Sequence, residues 1–274
     1  MFLQGKRILF FSAHLFGYQN DIRLAMESVG AIVDYYDERP ANNFLVKGVI
    51  RINRNLLAGY INHYYNKIIK ETLQKEYDYV FFIKGESISA SNVRRLKQFH
   101  PEANFIIYHW DSIANNSNAQ NLLPYFDRVF SFDKIDCERL GLHFLPLFYT
   151  PDYANIPYYD KEIKYDMLFV GTTHSDRYKL VKRIEEQIIK MGGLCLTWFY
   201  FPSKILYYKM KIQNSYLRQI PVHTFHFKPM SKELLLQLYA GSRIIIDVQH
   251  PKQTGLTMRC IETCLLYTSD AADE

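Results

Sequence analysis

Short runs of aromatic and β-branched residues alternate with longer segments in which apolar positions recur every three or four residues. The short runs are typical of buried strands, and the longer segments are typical of helices that cover a sheet. In the first half the pattern predicts strands at 7–11, 31–36, 79–83, 104–108, 128–131 and 142–147. Between them it predicts helices at 18–29, 55–76, 89–99 and 133–140. This alternation predicts a parallel sheet.

The alternation starts again in the second half. Strands are predicted at 165–170, 194–200, 222–227 and 243–248, and helices at 175–191, 203–218, 231–239 and from Leu256 onward. Residues 149–157 have the proline and asparagine content of a linker. We therefore predict an α/β protein with two Rossmann-like lobes, an N-terminal lobe at 1–150 and a C-terminal lobe at 160–263. Ligands of such sheets bind beyond the carboxyl ends of the strands.

The composition is that of a globular protein. The 274 residues are 48% hydrophobic and 22% charged, with a net charge of +5, which suits one large domain or two of ordinary size. A mildly basic chain fits phosphorylated substrates or anionic lipid. No nucleic-acid-binding motif is visible, so a nucleic acid partner is not predicted. The cysteines show no metal-ligand or disulfide spacing, and with no signal peptide and no apolar run of about 20 residues they predict a cytoplasmic protein.

The segment 247–262 carries the strongest local indication of chemistry. It leaves a β-branched run, passes Gly255, and restarts as a helix with Thr257 and Arg259 in its first turn. A strand, a glycine loop and a helix N-terminus together are a common way to hold phosphate. Glu262 shares a helix face with Arg259, so the pair would suit the diphosphate and ribose of a nucleotide-sugar. A solvated Arg–Glu pair on a surface helix explains the same residues equally well.

Four stretches resemble one family. Residues 169–177 read Phe-Val-Gly-Thr-Thr-His-Ser-Asp-Arg, and residues 108–112 read Tyr-His-Trp-Asp-Ser. Residues 238–243 precede the last predicted strand, and 255–262 form the loop and helix described above. Together they resemble GT-B glycosyltransferases, and more narrowly the bacterial lipopolysaccharide and capsule biosynthesis proteins of the CgeB-like group. The resemblance spans residues 6–263. It implies that the lobe at 1–150 is the acceptor lobe and that the lobe at 160–263 is the donor lobe.

The resemblance implies a nucleotide-sugar donor site in the second lobe that uses no metal and no cofactor. Gly171 would lie under the donor diphosphate, because glycine lets the backbone approach closely. Arg259 would neutralise the leaving diphosphate, and Glu262 would accept hydrogen bonds from donor hydroxyls. The donor-binding residues implied in this way are Gly171, Thr172, His174, Arg177, Gly255, Thr257, Arg259 and Glu262.

Transfer to an acceptor hydroxyl calls for a base, unless the configuration of the sugar is retained. The first lobe offers Asp111 and His14, each in a loop after a strand, and these are the predicted catalytic residues. Asp111 is preferred, because Trp110 beside it can stack on a sugar. Two alternatives remain open: Asp111 as the N-cap of the following helix, and His14 as a structural loop residue.

Residues 264–274 resemble the translation of a transposon-type sequencing adapter. We expect this tail to be non-native and to take no part in the fold. The second lobe is then predicted to be truncated at its C-terminus, and the activity of this chain is left open.

The predicted function is transfer of a sugar from a nucleotide-sugar donor to a lipopolysaccharide or capsular polysaccharide acceptor, a glycan or a lipid-linked one. A non-catalytic bilobed protein that binds a sugar or nucleotide is the alternative. The basic aromatic segment 198–218 has two interpretations. It is either an amphipathic helix packed on the sheet, which we favour, or a peripheral contact with an anionic membrane.

Overall fold

A computed structural model describes residues 2–15, 17–42, 44–116, 118–155, 162–173, 176–251 and 253–267. The chain divides into two compact units, here called the first and second lobes. The first comprises Met1–Leu147 and Lys252–Leu256, and the second Phe148–Pro251 and Thr257–Glu274. Each lobe contains a parallel sheet. The predicted α/β class with two Rossmann-like lobes is confirmed.

The first lobe contains all six predicted strands, although the last, predicted at 142–147, is reduced to two residues. They are β1 Arg7–Phe11, β2 Ile32–Tyr36, β3 Tyr79–Ile83, β4 Asn104–His109, β5 Arg128–Ser131 and β6 His143–Phe144. The helices described between them are α1 Tyr18–Ser28, α2 Phe44–Asn53, α3 Ala58–Thr72, α4 Ala90–Phe99, α5 Ala119–Leu122 and α6 Lys134–Leu140. The strands lie in the order β2-β1-β3-β4-β5-β6 and run parallel.

Both faces of the central strands are buried, as parallel sheets require. On one face Phe11 stacks on Phe82 at 4.3 Å between ring centroids and packs with Tyr65 of α3. On the other face Phe10 stacks on Phe81 at 5.5 Å. This packing aligns the carboxyl ends of the strands at one edge, where the loops carrying His14 and Asp111 begin.

The second lobe repeats the arrangement on a smaller scale. After α7 Pro151–Ala154 come β7 Tyr165–Thr172, α8 Arg177–Lys190, β8 Cys195–Tyr200, α9 Lys204–Gln213, α10 Ser215–Arg218, β9 Phe225–His226, α11 Lys232–Ala240, β10 Ser242–Ile245 and α12 Met258–Tyr267. The strands lie in the order β10-β7-β8-β9 and run parallel. Aromatic rings fill the core on one face of this sheet, among them Phe169, Phe199, Phe201, Tyr207 and Phe225.

Further differences concern two predicted elements and one helix that was missed. The strand predicted at 222–227 is reduced to β9, because the residues after Pro221 form a 3-10 turn before the chain reaches β8. The helix predicted at 203–218 is divided at Asn214, whose side chain leaves the helix and accepts a hydrogen bond from the amide of Tyr216 at 3.0 Å. Such local side-chain bonds compete with the helical ladder. The helix α2 was not predicted at all.

The helix ends show how far local signals reach. Ser89 caps α4, accepting a hydrogen bond from the amide of Asn92 at 3.2 Å. Ser175, the first residue of the helix predicted at 175–191, lies outside the described residues. The expectation that the tail takes no part in the fold is wrong for its first residues, because helix α12 continues to Tyr267 and Leu265 packs against a buried cluster of the second lobe. The suggested origin of the tail stays a prediction. Across the described ranges, none of the helices has the length and apolarity to span a bilayer.

Candidate functional site

Asp111, the preferred base, lies directly after β4 and forms an ion pair with Lys84 at the end of β3. The Asp111 side chain is 44% exposed, whereas that of Lys84 is 13% exposed. The cap of the 3-10 turn that follows is Ser112, which accepts a hydrogen bond from the amide of Ala114. The alternative role of Asp111 as an N-cap is therefore wrong, and its carboxylate is held at the sheet edge by a lysine.

Lys84 has an unusual backbone. Its φ of +71° makes it the non-glycine residue with a left-handed conformation among the described residues. A side chain in this region costs about 1–2 kcal/mol. The loop is held by Asn116, which donates to the Lys84 carbonyl at 3.1 Å, and by Asn118, which donates to the Gly85 carbonyl at 2.9 Å. Strain of this kind persists only where the surroundings fix it, and here it places the Lys84 ammonium beside Asp111.

His14, the second predicted catalytic residue, lies after β1 at the same edge. Its Nδ1 lies 3.0 Å from Gln19 Nε2, and its Nε2 lies 3.6 Å from Asp37 Oδ2 after β2. The His14 side chain is 54% exposed. The ring of Tyr18, at the start of α1, contacts the ring of Trp110 at 6.0 Å. The segments that follow β1 and β4 thus meet through Tyr18 and Trp110.

A buried charged cluster beneath this edge was missed by the sequence analysis. Glu38 and Arg39 follow β2, and Arg39 forms an ion pair with Glu86 after β3. Glu38 is fully enclosed and accepts hydrogen bonds from the amides of Ser87 and Ile88. Burial, aided by the negative charge of Glu86, raises the pKa of Glu38 to about 7. Two acids and one arginine therefore join the β2 and β3 loops.

His109 belongs to the stretch 108–112 that resembles the family. It is the last residue of β4 and is 1% exposed. Burial, together with the nearby charge of Lys84, lowers the pKa of His109 to about 4. The ring is therefore neutral near pH 7 and is a structural neighbour of the Lys84–Asp111 pair.

In the second lobe, Gly171 and Thr172 are the last residues of β7, and Arg177 is the first residue of α8. The Arg177 guanidinium folds back over this connection. Its Nη1 donates to the Thr172 carbonyl at 2.9 Å, and its Nη2 donates to the carbonyl of Val248 after β10. His174, which lies between these residues in sequence, is outside the described residues.

Arg259, in the first turn of α12, reaches the same strand end. Its Nη1 donates to Asp247 Oδ1 at 2.6 Å, its Nε to the Tyr239 hydroxyl at 3.2 Å, and its Nη2 to the Val170 carbonyl. The Arg259 side chain is 18% exposed. Three of its five N–H groups are engaged in these bonds. The interpretation as a solvated surface residue is therefore wrong.

Gly171 lies against both guanidinium groups. A Cβ at this position would be 3.2 Å from Arg259 Nη2 and 3.5 Å from Arg177 Nη1. Burial and repulsion by Arg259, partly offset by Asp247, lower the pKa of Arg177 to about 10. Both arginines are still cationic at neutral pH. The carboxyl end of β7 thus carries two positive charges around a glycine, which is a favourable place for an anion.

Asp247, which was given no role from sequence, organises this cluster. Its carboxylate accepts hydrogen bonds from Arg259, from the Thr257 hydroxyl and from the Cys260 thiol, the last at 3.1 Å. Burial opposes its charge, but Arg259 and the hydrogen bonds outweigh burial, so the pKa of Asp247 is lowered. The hydroxyl of Thr257 is therefore committed to Asp247.

Glu262 is 3% exposed and lies one turn after Arg259. It forms a hydrogen bond with the hydroxyl of Tyr153, in α7, and burial together with this carboxylate raises the pKa of Tyr153. The predicted surface carboxylate is thus an interior one. Its role with donor hydroxyls stays a prediction.

Gly255 belongs to the first lobe. Its amide donates to Asp133 Oδ2 at 3.3 Å, and the amide of Thr254 donates to the same oxygen at 2.8 Å. A Cβ on residue 255 would be 2.6 Å from the ring of Phe132. The glycine at this position is explained by close packing on Phe132, and its predicted contact with the donor stays a prediction.

A further buried hydroxyl, that of Thr173, follows Thr172 and was not singled out from sequence. Thr173 is 2% exposed, and its Oγ1 has no hydrogen-bond partner among the described residues. Across all the described ranges of the chain, no group of three or more His, Cys, Asp or Glu side chains is arranged to hold a metal ion.

No protein-family model and no curated protein matches the sequence. Among solved structures, an alpha-glucosyltransferase in complex with UDP and a 13-mer DNA containing a central A:G mismatch has a TM-score of 0.61 and 13% identity, over 95% of this chain and 77% of that chain. UDP-GlcNAc 2-epimerase of Methanocaldococcus jannaschii in complex with UDP-GlcNAc and UDP has a TM-score of 0.49 and 12% identity, over 88% of this chain and 78% of that chain. MurG of Acinetobacter baumannii has a TM-score of 0.44 and 12% identity, over 88% of this chain and 72% of that chain.

Only the first of these likenesses is strong enough to argue from, and at 13% identity it concerns the fold alone. It agrees with the two parallel sheets and with the loops gathered at their carboxyl edges. The chain therefore has a GT-B type fold, with one Rossmann-like lobe in each half.

Proposed function

We propose that this protein is a glycosyltransferase that takes a sugar from a nucleotide-sugar donor. The observation that carries the proposal is the pair of guanidinium groups, Arg177 and Arg259, on either side of Gly171 at the carboxyl end of β7. Two fixed cations beside a glycine suit a diphosphate, because the small residue leaves room for the anion.

The same pair would favour departure of the diphosphate. Charge develops on the leaving oxygen during transfer, and cations held in advance stabilise it without having to reorganise. Arg259 is held by Asp247, Tyr239 and Val170, so its position is set before a ligand arrives. We therefore propose a reaction in which arginine, and no metal ion, neutralises the leaving group. The alpha-glucosyltransferase of similar fold forms a complex with UDP, which supports a nucleotide-sugar as donor.

For the acceptor, we propose a hydroxyl of a lipopolysaccharide or capsular polysaccharide precursor, on the basis of the sequence resemblance. Asp111 and His14 are the side chains proposed to receive its proton. Both lie at the carboxyl edge of the first sheet, and both have a fixed polar partner, Lys84 and Gln19 respectively. Trp110 is 8% exposed, so a role in stacking on a sugar is not supported.

A non-catalytic binding protein is the second candidate. It is favoured by the degree to which the charged groups are already paired, with Asp111 bound to Lys84 and Arg259 bound to Asp247. Such a protein would bind a nucleotide and gain stability, but would turn nothing over.

The experiment is a panel of UDP-, GDP-, dTDP- and CMP-sugars tested for protection against heating and for turnover by the full chain. We expect at least one nucleotide-sugar to raise the unfolding temperature and to be hydrolysed or transferred. Stabilisation without turnover would support the binding protein instead. No stabilisation and no turnover with any donor would refute both candidates.

The variant that tests the site is Gly171→Ala. Its methyl group would lie 3.0 Å from the ring of Phe169, 3.2 Å from Arg259 Nη2 and 3.5 Å from Arg177 Nη1. We expect donor affinity to fall by roughly tenfold or more, since displacing one charge-assisted contact costs about 1.5–3 kcal/mol. Gly59→Ala is the matched control, because a Cβ there meets nothing within 4 Å. Equal affinity in the two variants would place the diphosphate elsewhere.

A further inference from the structure

We propose that the outer face of α9 in the second lobe docks on an anionic lipid membrane. This outer face consists of Ile205, Tyr208 and Ile212, whose exposed fractions are 67%, 55% and 72%. The inference stands on this surface alone and does not depend on the proposed donor site.

The exposed side chains form one stripe. Positions 205, 208 and 212 are three and four residues apart, so they lie on the same side of the helix. The opposite side is the one that packs in the core, with Tyr207 buried and Leu206 and Met210 partly buried. Helix α9 therefore has two apolar faces, and the sheet accounts for one of them. The sequence analysis favoured an amphipathic helix with one apolar face packed on the sheet, and the exposed second apolar face was not predicted.

The two helices α9 and α10 are basic. From Lys204 to Arg218 the sequence contains no Asp or Glu and four Lys or Arg: Lys204, Lys209, Lys211 and Arg218. Lys204 and Lys209 are exposed on α9 itself. Arg218 is also exposed, and its guanidinium donates to the carbonyls of Lys211 and Ile212 at the end of the helix. An apolar stripe with a basic border complements anionic headgroups above an acyl layer.

The chemistry of the stripe favours lipid over other occupants. Ile205 and Ile212 are aliphatic and can enter the boundary between headgroups and acyl chains, and the ring and hydroxyl of Tyr208 suit the same boundary. A nucleic acid would find only this one ring in the stripe on which a base could stack. A second copy of the chain would bring two basic surfaces together, and like charges repel.

The test is flotation of the full chain with vesicles of phosphatidylcholine, with or without phosphatidylglycerol. We expect the protein to float only with the anionic vesicles, and less as salt is raised, because salt screens the attraction. Ile212→Ser and Lys209→Glu should each lower the floated fraction, Ile212→Ser by about tenfold, since an isoleucine loses its burial in lipid.

Two control variants keep the outcome specific. Lys179→Glu makes the same change in net charge at an exposed position of α8, and Met191→Ser removes an apolar side chain that is 86% exposed. Both should float like the parent protein. The proposal is overturned by a lack of flotation, by equal flotation with neutral vesicles, or by equal losses in Lys179→Glu and Lys209→Glu. It is also overturned if Ile212→Ser abolishes self-association instead of flotation, because the occupant is then a second copy.

Discussion

The carboxyl edges of the two sheets have opposite electrostatic designs. The edge of the first lobe is rich in acids, each with a basic or polar neighbour: Asp37 near His14, Glu86 with Arg39, and Asp111 with Lys84. The edge of the second lobe has two arginines, Arg177 and Arg259, and one carboxylate, Asp247, which forms an ion pair with Arg259.

This difference shows how one type of sheet can be adapted to two kinds of ligand. Fixed cations with one counter-charge leave a net positive potential, which attracts a phosphate group. Paired acids leave little net charge and offer acceptors for hydroxyl groups instead. The three predictions that follow change one edge at a time. The unfolding of each lobe can be followed separately by tryptophan fluorescence, because Trp110 lies in the first lobe and Trp198 in the second.

The largest effect is expected at Arg259. In Arg259→Met the Asp247 carboxylate stays buried without its cation, and breaking a buried pair in this way costs about 3–5 kcal/mol. Urea unfolding followed by Trp198 fluorescence in a Trp110→Phe background measures the stability of the second lobe. The double variant Asp247→Asn/Arg259→Met is the control and should lose less than the single one. A loss below about 1 kcal/mol in Arg259→Met would show that the pair does not organise this edge.

A smaller, pH-dependent effect is expected at Glu38. Its pKa of about 7 in the folded protein is above its ordinary value of 4.5, so the folded state binds a proton more tightly than the unfolded state. The resulting stability is present below pH 4.5 and is lost as the pH rises through 7, a change of about 3 kcal/mol. Glu38→Gln should remove this loss.

The measurement for Glu38 is the free energy of unfolding of the first lobe at several pH values between 4.5 and 8, by Trp110 fluorescence in a Trp198→Phe background. His109 contributes with the opposite sign, because its lowered pKa makes stability fall as the pH drops from 6.5 towards 4. The contribution of His109 is the same in Glu38→Gln, so it cancels when the unfolding free energies of variant and parent are subtracted. Identical pH profiles for the two proteins would contradict the prediction.

The smallest effect is expected at Lys84. Both Lys84→Ala and Lys84→Gly remove the ion pair with Asp111, but only glycine adopts a φ of +71° without strain. Lys84→Gly should therefore be more stable than Lys84→Ala by about 1 kcal/mol. The comparison is made by urea unfolding of the first lobe. If the alanine variant is equally stable, the loop has relaxed and the left-handed conformation is not imposed by its surroundings.

Much of the fold could be predicted, because strands of a parallel sheet are continuous apolar runs. The prediction at 79–83 agrees with β3, and that at 7–11 agrees with β1. The strand predicted at 222–227 is wrong in extent. The β-branched and aromatic residues after Pro221 favour a strand by composition, but only part of the segment pairs with a neighbouring strand, and the rest forms a 3-10 turn. Helix α2 was missed because a glycine, Gly48, and several β-branched residues give the segment a low helix propensity.

The candidate site was only partly accessible from sequence. Gly171, Thr172 and Arg177 are close together along the chain, so their meeting at one strand end follows from local structure. The contact of Arg259 with the carbonyl of Val170 joins residues 89 positions apart. No local pattern encodes such a contact.

The sequence by itself determined the two parallel sheets and the loops at their carboxyl edges, because hydrophobic periodicity and strand length are properties of neighbouring residues. Only the tertiary structure decided which charges are paired. It placed Glu262 in the interior beside Tyr153, and Gly255 against Phe132. It also joined Arg39 to Glu86 beneath the first edge. The physical reason is that burial and pairing of a charge depend on elements far apart in the chain, and these meet only when the sheets and helices have packed.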